Sequence, residues 1–321
     1  MAVGSWQERV LFITQLRSLM DTGITLDTAL PLAGGRRGPY REAAELWARA
    51  VSAGQPLSEQ MQRSGEPALV CALVRAGELS GHLPAMCREI EAFYSHCLML
   101  KRLVIGRSIY PLILIHLALM MPPLVGFITG SHGAWLILLG PALLWTLALG
   151  LLLLGHLGGR SGWNARLCAT LPGLRTLTRQ LVCANSCLVL RAGASAGMLY
   201  HNALEMAASA CGNRWWGQRL ERQANALMHG DCPQLSQALE DCDFPADLVQ
   251  ILRSAEIGGA VERALGQMAT ISRERFTSAL TWTMRVAVGV LMALAMLIAI
   301  IAIFSIFSRV YLTPLQDAMN Y

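Results

Sequence analysis

Charge is scarce in this chain. Asp, Glu, Lys and Arg make up only 15% of its 321 residues, against roughly 25% in an average soluble domain. Hydrophobic residues reach 54% and the mean hydropathy is +0.44, which excludes an ordinary cytoplasmic enzyme and points to a membrane protein. Lysine is nearly missing: Lys101 is the only one, so no G-x-x-x-x-G-K-[ST] loop exists to cradle a nucleotide phosphate. H-E-x-x-H does not occur, which removes the zinc-protease signature. Gly193-Ala-Ser-Ala-Gly197 matches G-x-S-x-G by letter, but in a stretch that reads as helix, without the strand-to-helix turn on which a serine nucleophile sits. The chain therefore reads as a non-enzyme with no cofactor and no metal, and any energy it uses must come from a partner. Proline (13) and glycine (29) are too few for a collagen-like or low-complexity chain. No C-x-x-C pair appears among nine cysteines. Cys183 and Cys187 are four apart, which is helical spacing rather than a zinc knuckle. The cysteines read as small apolar packing residues in a reducing compartment. The net charge of +5 forms no basic patch: residues 1–110 hold 12 basic and 10 acidic residues, and residues 158–285 hold 13 and 10. That distribution argues against a nucleic-acid partner.

What the chain does have is long uncharged runs. Ser108–Gly159 is 52 residues without one Asp, Glu, Lys or Arg. A single helix of that length would measure about 78 Å, against a hydrocarbon core of about 30 Å, so the run must fold back. Thr129-Gly130-Ser131-His132-Gly133 supplies a polar, glycine-rich turn. A membrane hairpin over 108–158 is expected, with spans near 109–128 and 134–157. Val286–Ser308, 23 uncharged residues, gives a third span over 286–308. Lys101, Arg102 and Arg107 precede the first span, Arg160 and Arg166 follow the second, and Arg273, Arg275 and Arg285 precede the third. Positive flanks stay on the cytoplasmic side. Residues 1–107 and 159–285 are thus expected in the cytoplasm, N-terminus included, and the tail 309–321 on the far side. Trp6-Gln7-Glu8-Arg9 interrupts the apolar core of any secretory leader. An intramembrane enzyme or proton-driven transporter would place ionisable residues in its spans; only His116 and His156 lie there. Pro122-Pro123 is expected to kink or end its helix.

The remaining sequence reads as helices throughout. Ser5-x-x-Glu8 is a capping box, after which Trp6, Val10, Ile13, Leu16 and Met20 share one face until Gly23. No run of alternating β-branched residues bounded by turns occurs. Long helices are expected from Pro84 to Gly106 and from Ala260 to Arg285, each running straight into a span. Trp215-Trp216 reads as a pair packing its helix on a neighbour.

Two stretches are copies of one another. PALVCALVRAGELSG (67–81) and PADLVQILRSAEIGG (245–259) share Pro, Ala, Arg, Glu and Gly at an offset of 178, as do Leu57-Ser58 and Leu235-Ser236. Upstream, Leu16-Arg17, Gly23, Ala29-Leu30 and Ala33 match Leu190-Arg191, Gly197, Ala203-Leu204 and Ala207 at an offset of 174. The four-residue slip is assigned to a loop. The fold class that follows is all-α: an integral membrane protein with three transmembrane helices and two duplicated cytoplasmic helical-bundle domains, 1–107 and 159–285. The motif residues Arg75, Gly77, Glu78, Gly81, Arg253, Glu256, Gly258 and Gly259 are the candidate structural or partner-contact set. Each Glu is expected to accept amide hydrogen bonds from the first turn of the next helix, and each Arg to form an internal ion pair or a partner surface.

At Arg75-Ala-Gly-Glu-Leu-Ser-Gly81, its repeat Arg253-Ser-Ala-Glu-Ile-Gly-Gly259, the leucine-rich Leu16–Leu30 segment and Tyr110-Pro111, the chain resembles the F-type inner-membrane platform proteins of type II secretion and type IV pilus assembly. Two departures stand out: Arg285-Val286-Ala287 occupies the place of an acidic–proline pair found in many members, and Ala255 stands opposite Gly77. The resemblance implies a bacterial inner-membrane protein with a periplasmic C-terminus. Its implied partners are a hexameric cytoplasmic ATPase, pilin or pseudopilin subunits, other inner-membrane assembly proteins and further copies of itself. Its implied role is coupling that ATPase to subunit extraction and polymerisation. A membrane-anchored adaptor or receptor without a motor is the alternative.

Overall fold

Ser5 opens the first helix as its spacing dictates. Its hydroxyl accepts from the Glu8 amide while the Glu8 carboxylate accepts from the Ser5 amide, so two donors that a helix start would leave orphaned are satisfied. The computed structural model describes residues 4–35, 38–128, 172–231 and 234–307. Among them every regular element is a helix: α1 (Trp6–Asp21), α2 (Leu26–Gly34), α3 (Arg41–Ser52), α4 (Leu57–Arg63), α5 (Ala68–Ser80), α6 (Leu83–Ile128), α7 (Pro172–Ser195), α8 (Tyr200–Ala210), α9 (Arg214–His229), α10 (Leu235–Asp241), α11 (Ala246–Gly258) and α12 (Val261–Phe307). The expected hairpin turn at 129–133, the span at 134–157 and the tail at 309–321 lie outside the described residues.

The helix pattern repeats. α4, α5 and α6 begin at residues 57, 68 and 83, and α10, α11 and α12 begin at 235, 246 and 261, in each case at the 178 offset of the motifs. α2 and α8 begin at 26 and 200, at the 174 offset. The slip between the two offsets is not in a loop, contrary to the sequence expectation. It lies in α9, which has 16 residues where α3 has 12. Four residues are about one helical turn, so the insertion lengthens the helix and leaves its buried face in register.

The chain divides into two units, residues 1–100 with 165–279 and residues 101–164 with 280–321. Both copies of the helix pattern fall in the first unit, where α5 packs on α7 and α8 and Arg191 reaches Glu89 of α6 at 2.9 Å. The apolar core of this unit draws on both copies, from Phe12, Leu30, Trp47 and Leu73 to Leu190, Leu204, Leu220 and Leu252. Among the residues of the first copy lies a buried ion pair. Glu66, with a fully buried side chain, accepts from Arg9 Nη1 at 3.0 Å, from Tyr40 at 2.9 Å and from Tyr94 at 2.7 Å. The face expected on α1 is thereby shifted: Arg9, Phe12, Ile13 and Leu16 are buried, while Trp6, Val10 and Met20 are only partly covered. The second copy fills the matching positions with Cys183, Phe244 and Ser272, whose serine hydroxyl meets the Cys183 sulfur at 3.2 Å. Trp216 is buried, and Trp215 packs against it edge-on under the Arg219 guanidinium.

In the second unit the described residues belong to the continuations of α6 and α12. α6 runs through Pro122-Pro123 to Ile128 without ending there, and α12 runs to Phe307. Large apolar side chains stand exposed along both, among them Ile109, Ile113 and Leu117 on α6 and Val290, Leu297, Ile303 and Phe304 on α12. Among the described residues no helix is long and apolar enough to cross a membrane.

Candidate functional site

The two motif glutamates occupy one structural role twice. α4 and α10 are short helices whose N-caps, Pro56 and Gln234, offer no capping side chain. The free amides of their first turns need acceptors. Glu78, one helix on, supplies them: its Oε1 accepts from the Leu57 amide, and its Oε2 from the Ser58 hydroxyl at 2.7 Å and the Ser58 amide at 3.4 Å. Glu256 repeats this, accepting from the Ser236 amide at 3.0 Å and from the Ser236 hydroxyl. The helix so capped is the preceding one, not the following one expected from the sequence. The reason is length: α4 and α10 lie antiparallel beside the end of α5 and α11 across a short turn, whereas α6 and α12 begin directly after the glycine cap. The matched Leu-Ser pairs are the partners of the matched glutamates.

The motif glycines divide by cause. Gly81 and Gly259 end their helices in the left-handed conformation, at φ +71° and +68°, which a side chain disfavours. Gly258 is exposed, with nothing within 4 Å of a Cβ placed there. Gly77 is a close approach: a Cβ would lie 2.9 Å from Leu83 Cδ1 and 3.0 Å from Met86 Cγ. At the matching positions the second copy has Ala255 facing the smaller Val261 and Ala264. The extra methyl on one helix is offset by volume removed from the other. Gly77→Ala is therefore expected to lower stability by about 1–3 kcal/mol through overpacking, and Met86→Ala added to it should restore part of that loss. Thermal unfolding of the two variants checks this; a double variant less stable than Gly77→Ala alone contradicts the packing argument.

The motif arginines diverge. Arg253 pairs with Glu240 at 2.7 Å with both partners about half exposed, a pair worth little in water. Arg75 is exposed and makes no ion pair among the described residues. It lines a groove of about 590 Å³ together with Glu59, Gln62, Glu78, Leu79 and, from α8, Met206. This groove has charge and shape but no nucleophile beside a base. Burial pushes the Cys71 thiol at its edge up to about 11 and the Cys87 and Cys242 thiols up to about 12, so these cysteines carry no thiolate at neutral pH. Among the described residues no group of His, Cys, Asp or Glu is placed to hold a metal ion. Cys183 and Cys187, 4.0 Å apart in the core of α7, are packing residues. Among the described residues the arrangement offers contact surface and helix geometry. Sequence reasoning missed the Glu66 cluster and the groove, since both are made by residues distant in the chain.

The comparisons with known proteins agree with the duplicated pattern. The family model described as type II secretion system (T2SS), protein F, matches residues 12–129 and 187–308. The second of these stretches follows the first at close to the two repeat offsets. A type 4 fimbrial assembly protein PilC of Pseudomonas putida is 27% identical over 301 residues, covering 84% of this chain and 74% of that protein. A type IV pilus assembly protein TapC of Aeromonas hydrophila is 24% identical over 315 residues, covering 86% and 76%. With the family model covering well over half of its residues in two helical copies, the chain belongs to the type II secretion system protein F family.

Proposed function

We propose that the chain is the inner-membrane platform of a type IV pilus or type II secretion-like assembly machine. In this role the repeats at 1–107 and 159–285 face the cytoplasm and meet a hexameric ATPase. The uncharged runs at 109–128, 134–157 and 286–308 cross the membrane, and the C-terminus is periplasmic. The machine's work is lifting pilin or pseudopilin subunits from the bilayer into a filament, with the platform acting as a homo-oligomer beside other inner-membrane proteins. One observation carries this reading: α6 and α12 each leave a helical bundle and continue unbroken into an uncharged segment. Exposed Ile, Leu, Val and Phe along those segments support a lipid environment, because water penalises such surface at about 25 cal/mol per Å². The missing phosphate loop leaves energy supply to the partner, and relatives named as pilus assembly proteins support the setting. Arg75 and its groove are the candidate contact surface for the motor.

The test is genetic and biochemical together. Cells lacking the chain should make no filament or secrete no substrate while their assembly ATPase stays intact, and the chain should co-purify with that ATPase without hydrolysing ATP itself. Filament output or secretion at the wild-type level in its absence would overturn the platform role in favour of an adaptor without a motor.

A further inference from the structure

The chain's net charge is not spread over the fold. The unit formed by residues 1–100 and 165–279 holds 20 basic and 20 acidic residues, and the unit formed by 101–164 and 280–321 holds 6 and 1. The whole +5 of the protein therefore sits in the unit that carries the long uncharged runs. In the first unit arginine is commonly paired, as in Arg9–Glu66, Arg17–Glu91, Arg191–Glu89 and Arg275–Asp247. In the second, Lys101, Arg102, Arg107 and Arg285 are exposed and make no ion pair among the described residues. Two of them are repeat equivalents: Arg285 matches Arg107 at the 178 offset. Each stands directly before an uncharged run, 108–128 ahead of the polar turn at 129–133 and 286–308. At a rise of about 1.5 Å per residue, the spans expected over 109–128 and 286–308 would each measure about 30 Å or slightly more, close to a bilayer's hydrocarbon core. Tyr110 and Trp282, 62% and 64% exposed, lie within a helical turn of these arginines, where aromatic side chains sit at a headgroup boundary.

We propose that Lys101, Arg102, Arg107 and Arg285 bind the phosphodiester headgroups of anionic phospholipids where α6 and α12 enter the membrane. The proposal rests on the membrane reading above. An acidic peptide fits less well, because the cations gather at the head of an uncharged segment on each helix, beside belt aromatics, instead of lining a groove. Guanidinium groups hold phosphate oxygens in a two-point fork, and each cation near a membrane surface strengthens binding to anionic lipid about fivefold.

The full-length protein, purified in detergent, is incubated with phosphatidylglycerol and phosphatidylcholine, and the retained lipid is quantified by mass spectrometry. The wild type should retain phosphatidylglycerol in preference. The quadruple variant K101Q/R102Q/R107Q/R285Q should retain at least about tenfold less of it, given four such cations, with phosphatidylcholine unchanged. Equal retention of both lipids by the wild type, or wild-type retention by the variant, overturns the proposal. Should the variant fail to fold, raised salt on the wild type decides: phosphatidylglycerol should be released and phosphatidylcholine kept, and indifference to salt overturns it. Alkaline carbonate extraction of cell membranes separates the two readings. A chain that washes off sinks the membrane reading itself, whereas a chain that stays but shows no lipid preference sinks only the headgroup site.

Discussion

Glu66→Ala should cost the fold about 3–5 kcal/mol, the penalty for removing one partner of a buried ion pair. For a unit of this size that corresponds to a fall in melting temperature of roughly 10 °C. The Glu66 side chain has no exposed surface and that of Arg9 only 6%, so Arg9 would be left charged and dry, held by no acceptor of comparable strength. The hydroxyls of Tyr40 and Tyr94 would lose their acceptor in the same step. The cluster ties α1, the α4–α5 turn and α6 together, which makes the loss cooperative. The second copy indicates how the same space is filled without charge. A variant carrying its solution, Arg9→Cys, Glu66→Phe and Tyr94→Ser with Tyr40→Phe, should unfold at a higher temperature than Glu66→Ala alone, because replacing a whole buried network is often neutral where breaking it is not. Thermal unfolding followed by circular dichroism compares the two. If the quadruple variant is the less stable, the cluster contributes through packing that apolar residues do not reproduce.

Much of this architecture was legible in the sequence because it rests on local chemistry. The Ser5/Glu8 box, the glycine helix ends and the repeat spacing depend on residues within a few turns of one another, and all-helical structure follows from them. What escaped was set by partners far along the chain. An arginine on an apolar helix face reads as solvated, and only Glu66, 57 residues away, makes its burial possible. The glutamate of the motif read correctly as an acceptor for helix amides but was assigned to the wrong helix, since a capping interaction that reaches back across a whole helix leaves no periodic trace. Its trace lies in the repeat instead: Leu57-Ser58 and Glu78 recur together as Leu235-Ser236 and Glu256. The slip of four residues was read as a loop insertion, and it lies instead in α9, where a whole turn preserves the buried face. The groove at Arg75 needed α8 of the other copy, whose docking on α5 no local pattern encodes.

Breaking α6 between the bundle and its uncharged segment should stop filament output while leaving ATPase binding intact. A helix that continues from a folded bundle into the bilayer carries tilt or rotation of that bundle with it, provided its hydrogen-bond ladder is unbroken. From Pro84 onward α6 has no proline until Pro111, and α12 has none over its described length. Gly106 and Gly266 each lower helix stability by only about 1 kcal/mol. Met99 is exposed near the end of the bundle portion, so changing it removes little packing. Met99→Pro would delete one backbone donor, clash with the carbonyl four residues back and cost about 3 kcal/mol in a helix interior, whereas Met99→Ala keeps the helix and serves as the control. The bundle core, built from residues such as Phe12, Leu73 and Leu204, should remain folded in both. The expected result is co-purification of the ATPase with all three proteins, with filaments or secretion lost in Met99→Pro alone. Wild-type output from the proline variant would show that motion reaches the membrane by another route, and loss of ATPase binding would show that the substitution unfolds the bundle rather than uncoupling it.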